Sequence, residues 1–61
     1  MKPKCKLTGQ DGNIFNLIAI ARKSLVKAGM SVQAKEMTEK VMSSGSYDEA
    51  LRIIMNYVEV E

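Results

Sequence analysis

A chain of 61 residues with 46% hydrophobic and 26% charged side chains has the balance of a folded soluble domain, far from the low hydrophobicity of a disordered one. Its formal net charge of +2 is too small to define a nucleic-acid or membrane-surface binder, and one cysteine with no histidine excludes an intrachain disulfide and most structural zinc sites. Residues 1–61 are therefore expected to form a single domain in a reduced, cytoplasmic setting, stabilised by close packing or self-association.

The first segment, Lys2 to Leu7, alternates lysines with apolar residues at period two, the pattern of a short edge strand with Cys5 and Leu7 inward. Pro3 suits a strand start or an edge. Thr8 to Gly12 follows as a glycine-bracketed turn, which is too polar to continue a signal peptide. Asp11 or Asn13 can then cap a helix expected over Asn13 to Ala28. In that helix Ile14, Leu17, Ile18, Ala21, Leu25 and Ala28 recur at three- and four-residue spacing and define the core face, while Phe15, Ala19 and Val26 widen the apolar arc. Ile20 falls in the polar stripe, so either a terminal segment covers it or it is an exposed contact point. The apolar run Ile14 to Ala21 is too short to span a membrane.

Gly29 ends this helix in a left-handed conformation, with Met30 folding back on Leu25 or Val26. Ser31 is expected to cap a second helix over Val32 to Ser43, with Ala34, Met37 and Val41 apolar and the pairs Lys35/Glu39 and Glu36/Lys40 four apart. Ser46 to Glu49 is an S-x-x-E capping box that opens a third helix over Tyr47 to Tyr57. Tyr47, Ala50, Leu51, Ile54 and Val58 line one face of it. From Tyr57 onward the pattern is period two again, and a terminal strand is expected to pair with the first, setting Lys4 and Lys6 near Glu59 and Glu61. An up-down-up order of three helices favours parallel pairing.

The expected fold class is α+β, a three-helix bundle with a small two-stranded sheet formed by the N- and C-terminal segments. Its core should contain Ile14, Leu17, Ile18, Ala21, Leu25, Met37, Val41, Leu51, Ile54 and Val58.

Few residues carry a chemical signature. Asp48 and Glu49 lie in a helix's first turn, where capping accounts for them, and no serine or cysteine has a histidine partner, so no catalytic residue, metal or cofactor is expected. Cys5 has only Lys4 and Lys6 beside it to suggest a redox role. The Gly9-Gln10-Asp11-Gly12 turn lacks the spacing of a phosphate-binding loop, and Asp11 with Asn13 matches only two ligands of a calcium loop. A helix-turn-helix drawn over Thr38 to Tyr57 would open its reading helix with two carboxylates and leave Arg52 alone to reach a base.

Two resemblances extend this reading. Ala28-Gly29-Met30-Ser31 and Ser44-Gly45-Ser46-Tyr47-Asp48-Glu49-Ala50-Leu51 resemble the two turns and the third helix of ubiquitin-associated (UBA-like) three-helix domains, with Met30 in place of an aromatic residue. Over its whole length the chain resembles a group of small bacterial proteins of phages and mobile elements. That likeness is carried by Gly9-Gln10-Asp11-Gly12-Asn13-Ile14-Phe15, Tyr47-Asp48 and Met55-Asn56-Tyr57-Val58-Glu59-Val60-Glu61. It implies a bacterial or mobile-element origin and assigns no activity.

The leading expectation is a non-enzymatic protein-interaction or regulatory module, which pairs with itself or docks on a protein through Phe15, Ile20, Met30 and Met42. The alternative is weak electrostatic nucleic-acid binding through Lys4, Lys6, Lys23 and Lys27, joined by Lys2 and Arg22.

Overall fold

The computed structural model describes all residues, Met1–Glu61. The order of elements is β1 (Lys4–Cys5), α1 (Ile14–Lys27), α2 (Ser31–Met42), α3 (Tyr47–Tyr57) and β2 (Glu59–Val60). The three helices all pack against one another, and β1 and β2 form a parallel pair that rests on α1 and α3.

Local chemistry sets the helix ends. The Asn13 side chain accepts the Phe15 N–H at 2.9 Å, and Asp11 in turn accepts the Asn13 N–H at 3.1 Å, so both expected cap residues are used in series. At the other end of α1, the Met30 N–H donates to the Leu25 carbonyl at 2.8 Å and the Gly29 N–H to that of Val26 at 3.0 Å. This is the two-bond Schellman closure, and it needs the φ of +77° that Gly29 supplies. Ala28 lies at this cap and is exposed, so it leaves the core face expected of it. Helix α2 begins one residue earlier than expected: Ser31 is inside it, and Met30 stands at the cap without a side-chain acceptor. The α3 box is also displaced. Ser46 Oγ accepts the Glu49 N–H at 3.1 Å, but the Glu49 carboxylate reaches the Gly45 N–H at 2.8 Å, one residue before the usual donor.

The core is one cluster of eleven buried residues. Helix α1 contributes Leu17, Ile18, Ala21 and Leu25, α2 contributes Ala34, Met37 and Val41, and α3 contributes Ala50 and Ile54. Cys5 and Val58 close it from the strand side. Of the expected core, Ile14 and Leu51 sit at the margin, half-buried against the cluster. Phe15, Ala19 and Val26 are exposed, so the buried arc of α1 is narrower than its apolar sequence.

The strands are shorter than expected, two residues each, but their hydrogen bonds extend further. Glu59 N–H donates to Pro3 C=O at 2.8 Å, Glu61 N–H to Cys5 C=O at 2.9 Å, and Leu7 N–H to the Glu61 main-chain oxygen at 3.2 Å. The register places Lys4 beside Glu59 and Cys5 beside Val60. The expected charge pairing stops at this proximity, because the one ion pair in the molecule is Glu36–Lys40 at 3.9 Å on α2. The Lys35/Glu39 pair does not close either.

Candidate functional site

The polar groups offer little chemistry. No three histidine, cysteine, aspartate or glutamate residues come together as a metal site, and every buried side-chain nitrogen and oxygen has a hydrogen-bond partner. Cys5 is a free thiol buried in the core under the ribbon. No helix is long and apolar enough to cross a membrane.

Apolar surface is where the molecule departs from a closed domain. A cleft of about 340 Å³ lies between the start of α1, the end of α2 and the start of α3. Its floor is built by Ile18, Val41 and Ala50, which the helix packing buries, and its rim by Phe15, Met42 and Tyr47. Phe15 is 63% exposed, Met42 62% and Tyr47 47%. Each rim residue sits at a helix end: Phe15 and Tyr47 in first turns, Met42 at the last position of α2.

Tyr47 is held in place by a hydrogen bond from its hydroxyl to the Gly12 carbonyl, which ties the start of α3 to the loop before α1. Its ring also borders a second apolar depression, about 280 Å³, with Leu7, Leu51, Met55 and Val60 between α3 and the ribbon. One aromatic ring thus separates two apolar hollows.

The charged residues next to the Phe15 and Tyr47 sides of the rim are acidic. Asp11 lies just before the α1 cap, and Asp48 and Glu49 follow Tyr47 in the first turn of α3. The nearest lysine in sequence, Lys40, is engaged elsewhere, with its ammonium 3.9 Å from Glu36 and 5.3 Å from the centre of the Tyr57 ring. The Tyr57 hydroxyl donates to Glu36 at 2.7 Å. Tyr57 above all, with Glu36 adding less, holds the Lys40 ammonium above the ordinary lysine pKa.

Of the four apolar contact residues expected from sequence, the cleft brings Phe15 and Met42 together. Ile20 and Met30 are half-buried against the core instead. Strand β1 packs on α1, and Ile20 is half-buried against the core cluster instead of standing out as an exposed contact point. Sequence reasoning placed Tyr47 on the core face and missed it as a rim residue. Its signal was position: the residue directly after an N-cap lies at a helix end, and only part of a ring there can be covered. The lysines divide into two sets. Lys4 and Lys6 are exposed on the ribbon, where Lys4 stands beside Glu59, and Lys2 donates to the Met55 carbonyl at 3.1 Å. Arg22, Lys23 and Lys27 are exposed on the second half of α1.

No protein-family model, curated protein or solved structure matches the chain.

Proposed function

We propose that this chain is a non-enzymatic protein-interaction module that works through the cleft rimmed by Phe15, Met42 and Tyr47. The observation that carries the reading is the exposure of those three large side chains around one concave apolar surface. Burying the exposed part of Phe15 and of Met42 against a partner would contribute on the order of 1 kcal/mol each before the cost of association. Methionine suits such a surface because its flexible thioether adapts to different shapes.

A UBA-like arrangement of the helices, a bacterial or mobile-element origin and a cytoplasmic setting belong to the same proposal. They are supported by the Gly29-Met30-Ser31 corner and by the sequence resemblances described above. The cleft is tested by introducing photoreactive benzoylphenylalanine in place of Phe15 and illuminating cells that express the protein. One reproducible polypeptide adduct, lost on Met42→Asp, is the expected result. No adduct in cells and none with the purified chain at about 1 mM would overturn the reading. A salt titration ranks it against electrostatic nucleic-acid binding: a complex that survives about 150 mM salt and is lost on replacing Lys23 and Lys27 would put nucleic acid first.

A further inference from the structure

The exposed side of α1 carries a continuous stripe, Phe15, Ala19, Arg22, Lys23 and Val26, at the i, i+4, i+7, i+8, i+11 spacing of one helix face. All five are exposed, although α2 borders the stripe beside Arg22 and Val26: Val26 is 52% exposed at one end and Phe15 63% at the other. Between them Ala19 is small enough to let another backbone approach.

The two ends differ in charge. Asp11, Asp48 and Glu49 lie at the Phe15 end, whereas Arg22, Lys23 and Lys27 of α1 lie at the Val26 end, where α2 adds Lys35 and one carboxylate, Glu39, and the balance stays basic. The molecule's single ion pair is Glu36–Lys40, so none of these groups is held in an ion pair within the chain. Asp11 and Glu49 spend one oxygen each on backbone N–H groups, whereas Asp48 has no hydrogen-bond partner. A second copy laid parallel on this face would set carboxylates against carboxylates and cations against cations. Turned about a two-fold axis across α1, it sets the acidic end of each copy against the basic end of the other, and does so twice.

We infer that the occupant of the cleft is a second copy of this chain, paired antiparallel through α1. Val26 of each copy seats at the Phe15, Met42 and Tyr47 rim of the other, and Arg22, Lys23 and Lys27 face the partner's Asp11, Asp48 and Glu49. The inference rests on the interaction reading of the cleft. The dimensions permit it. Phe15 and Val26 are about 16 Å apart along the helix axis at 1.5 Å per residue, and the molecule measures 28 × 25 × 16 Å. A dimer at the low end of stable interfaces buries roughly 600 Å² per copy, about a seventh of the 4189 Å² exposed by one chain. So small an interface, carried by two sets of charge contacts, forms weakly and loosens with salt.

Sedimentation equilibrium from about 10 μM to 1 mM, at about 50 mM and 500 mM salt, tests this. The expected result at low salt is a shift from 6.8 kDa to twice that mass and no further, with at least a tenfold weaker association at high salt. Phe15→Asp and Val26→Asp should each abolish the shift while far-UV circular dichroism keeps its helical signal. Asp48→Lys alone and Arg22→Glu/Lys23→Glu alone should each weaken pairing at least tenfold, and mixing these two variants should restore a 1:1 dimer. A chain that stays monomeric at 1 mM, a dimer indifferent to these substitutions, or a mass that grows beyond two copies would each overturn the inference. A monomer that still yields one foreign adduct through position 15 overturns self-pairing and leaves the interaction reading standing. A monomer with no adduct removes both.

Discussion

The corner between α1 and α2 and the ribbon of β1 and β2 are held by opposite means. At the corner every hydrogen bond closes within six residues: Ala28, Gly29 and Met30 all donate to carbonyls of the last turn of α1. In the ribbon the partners lie at least 53 positions apart, as when Thr8 Oγ1 donates to the Glu61 main-chain oxygen at 2.8 Å. A local closure costs little loop entropy, whereas the ribbon must close nearly the whole chain. Two residues per strand cannot stabilise that closure alone. Burial of Cys5 and Val58 on the helices does so, and the ribbon therefore reports on the whole fold while the corner reports on itself.

The largest expected effect removes the support common to both regions. Leu25 is fully buried, and Leu25→Ala should lower unfolding free energy by about 2–5 kcal/mol, measured by urea denaturation. Amide exchange at the corner and the ribbon should accelerate together, and a loss confined to one region would break the proposed hierarchy. Val58→Ala should cost about 2 kcal/mol and act selectively. The amides of Glu59 and Glu61, which bond to Pro3 and Cys5, should lose more protection than those of Gly29 and Met30. Equal losses would mean that the ribbon is not a separately opening unit.

Gly29→Ala sharpens the other side of the comparison. Open space surrounds the position, so an added methyl meets nothing and the cost is the left-handed backbone alone, about 1 kcal/mol. Gly29→Asn should cost less, since asparagine tolerates that conformation. The smallest effect concerns Lys40, at the α2–α3 side. A base whose folded pKa is raised contributes stability that is fully present below its unfolded value and is lost as pH rises through the folded one. With Tyr57 and Glu36 raising Lys40, Lys40→Met should slightly lower the denaturation midpoint at neutral pH, and the difference should disappear above the ordinary lysine range, about pH 10.4. A difference that persists there would trace to lost packing of the lysine stem on Tyr57.

Helix existence was legible because the signals are local. Ser46 and Glu49 stand next to the turn they close, and Gly29 next to the bonds it permits, so α3 spans the residues expected of it and α1 and α2 differ by one at their ends. Helix order favoured the parallel pairing that the strands adopt without fixing it, and of the expected charge neighbours Lys4 does stand beside Glu59, although no ion pair closes there. The grouping of surface residues was not legible. Of the four named contact residues Phe15 and Met42 line one cleft, Ile20 and Met30 are half-buried, and Tyr47 joins the rim. Periodicity says which residues share a face and is silent on whether a neighbour covers it.

By itself, the amino-acid sequence determined three helices, the side-chain caps of α1 and α3, and a core centred on Leu17, Ile18, Ala21, Leu25, Met37, Val41 and Ile54, because spacing and hydrogen-bonding side chains act over a few residues; the α2 cap fell at Met30 instead of Ser31. Only the tertiary structure decided which apolar residues stay in water. Phe15, Ala19 and Val26 belong to the same apolar arc as the buried face of α1, yet the ribbon, α2 and α3 cover the remaining sides of that helix and leave this one open. Exposure is a property of what packs on a face, and that depends on chain segments remote in sequence.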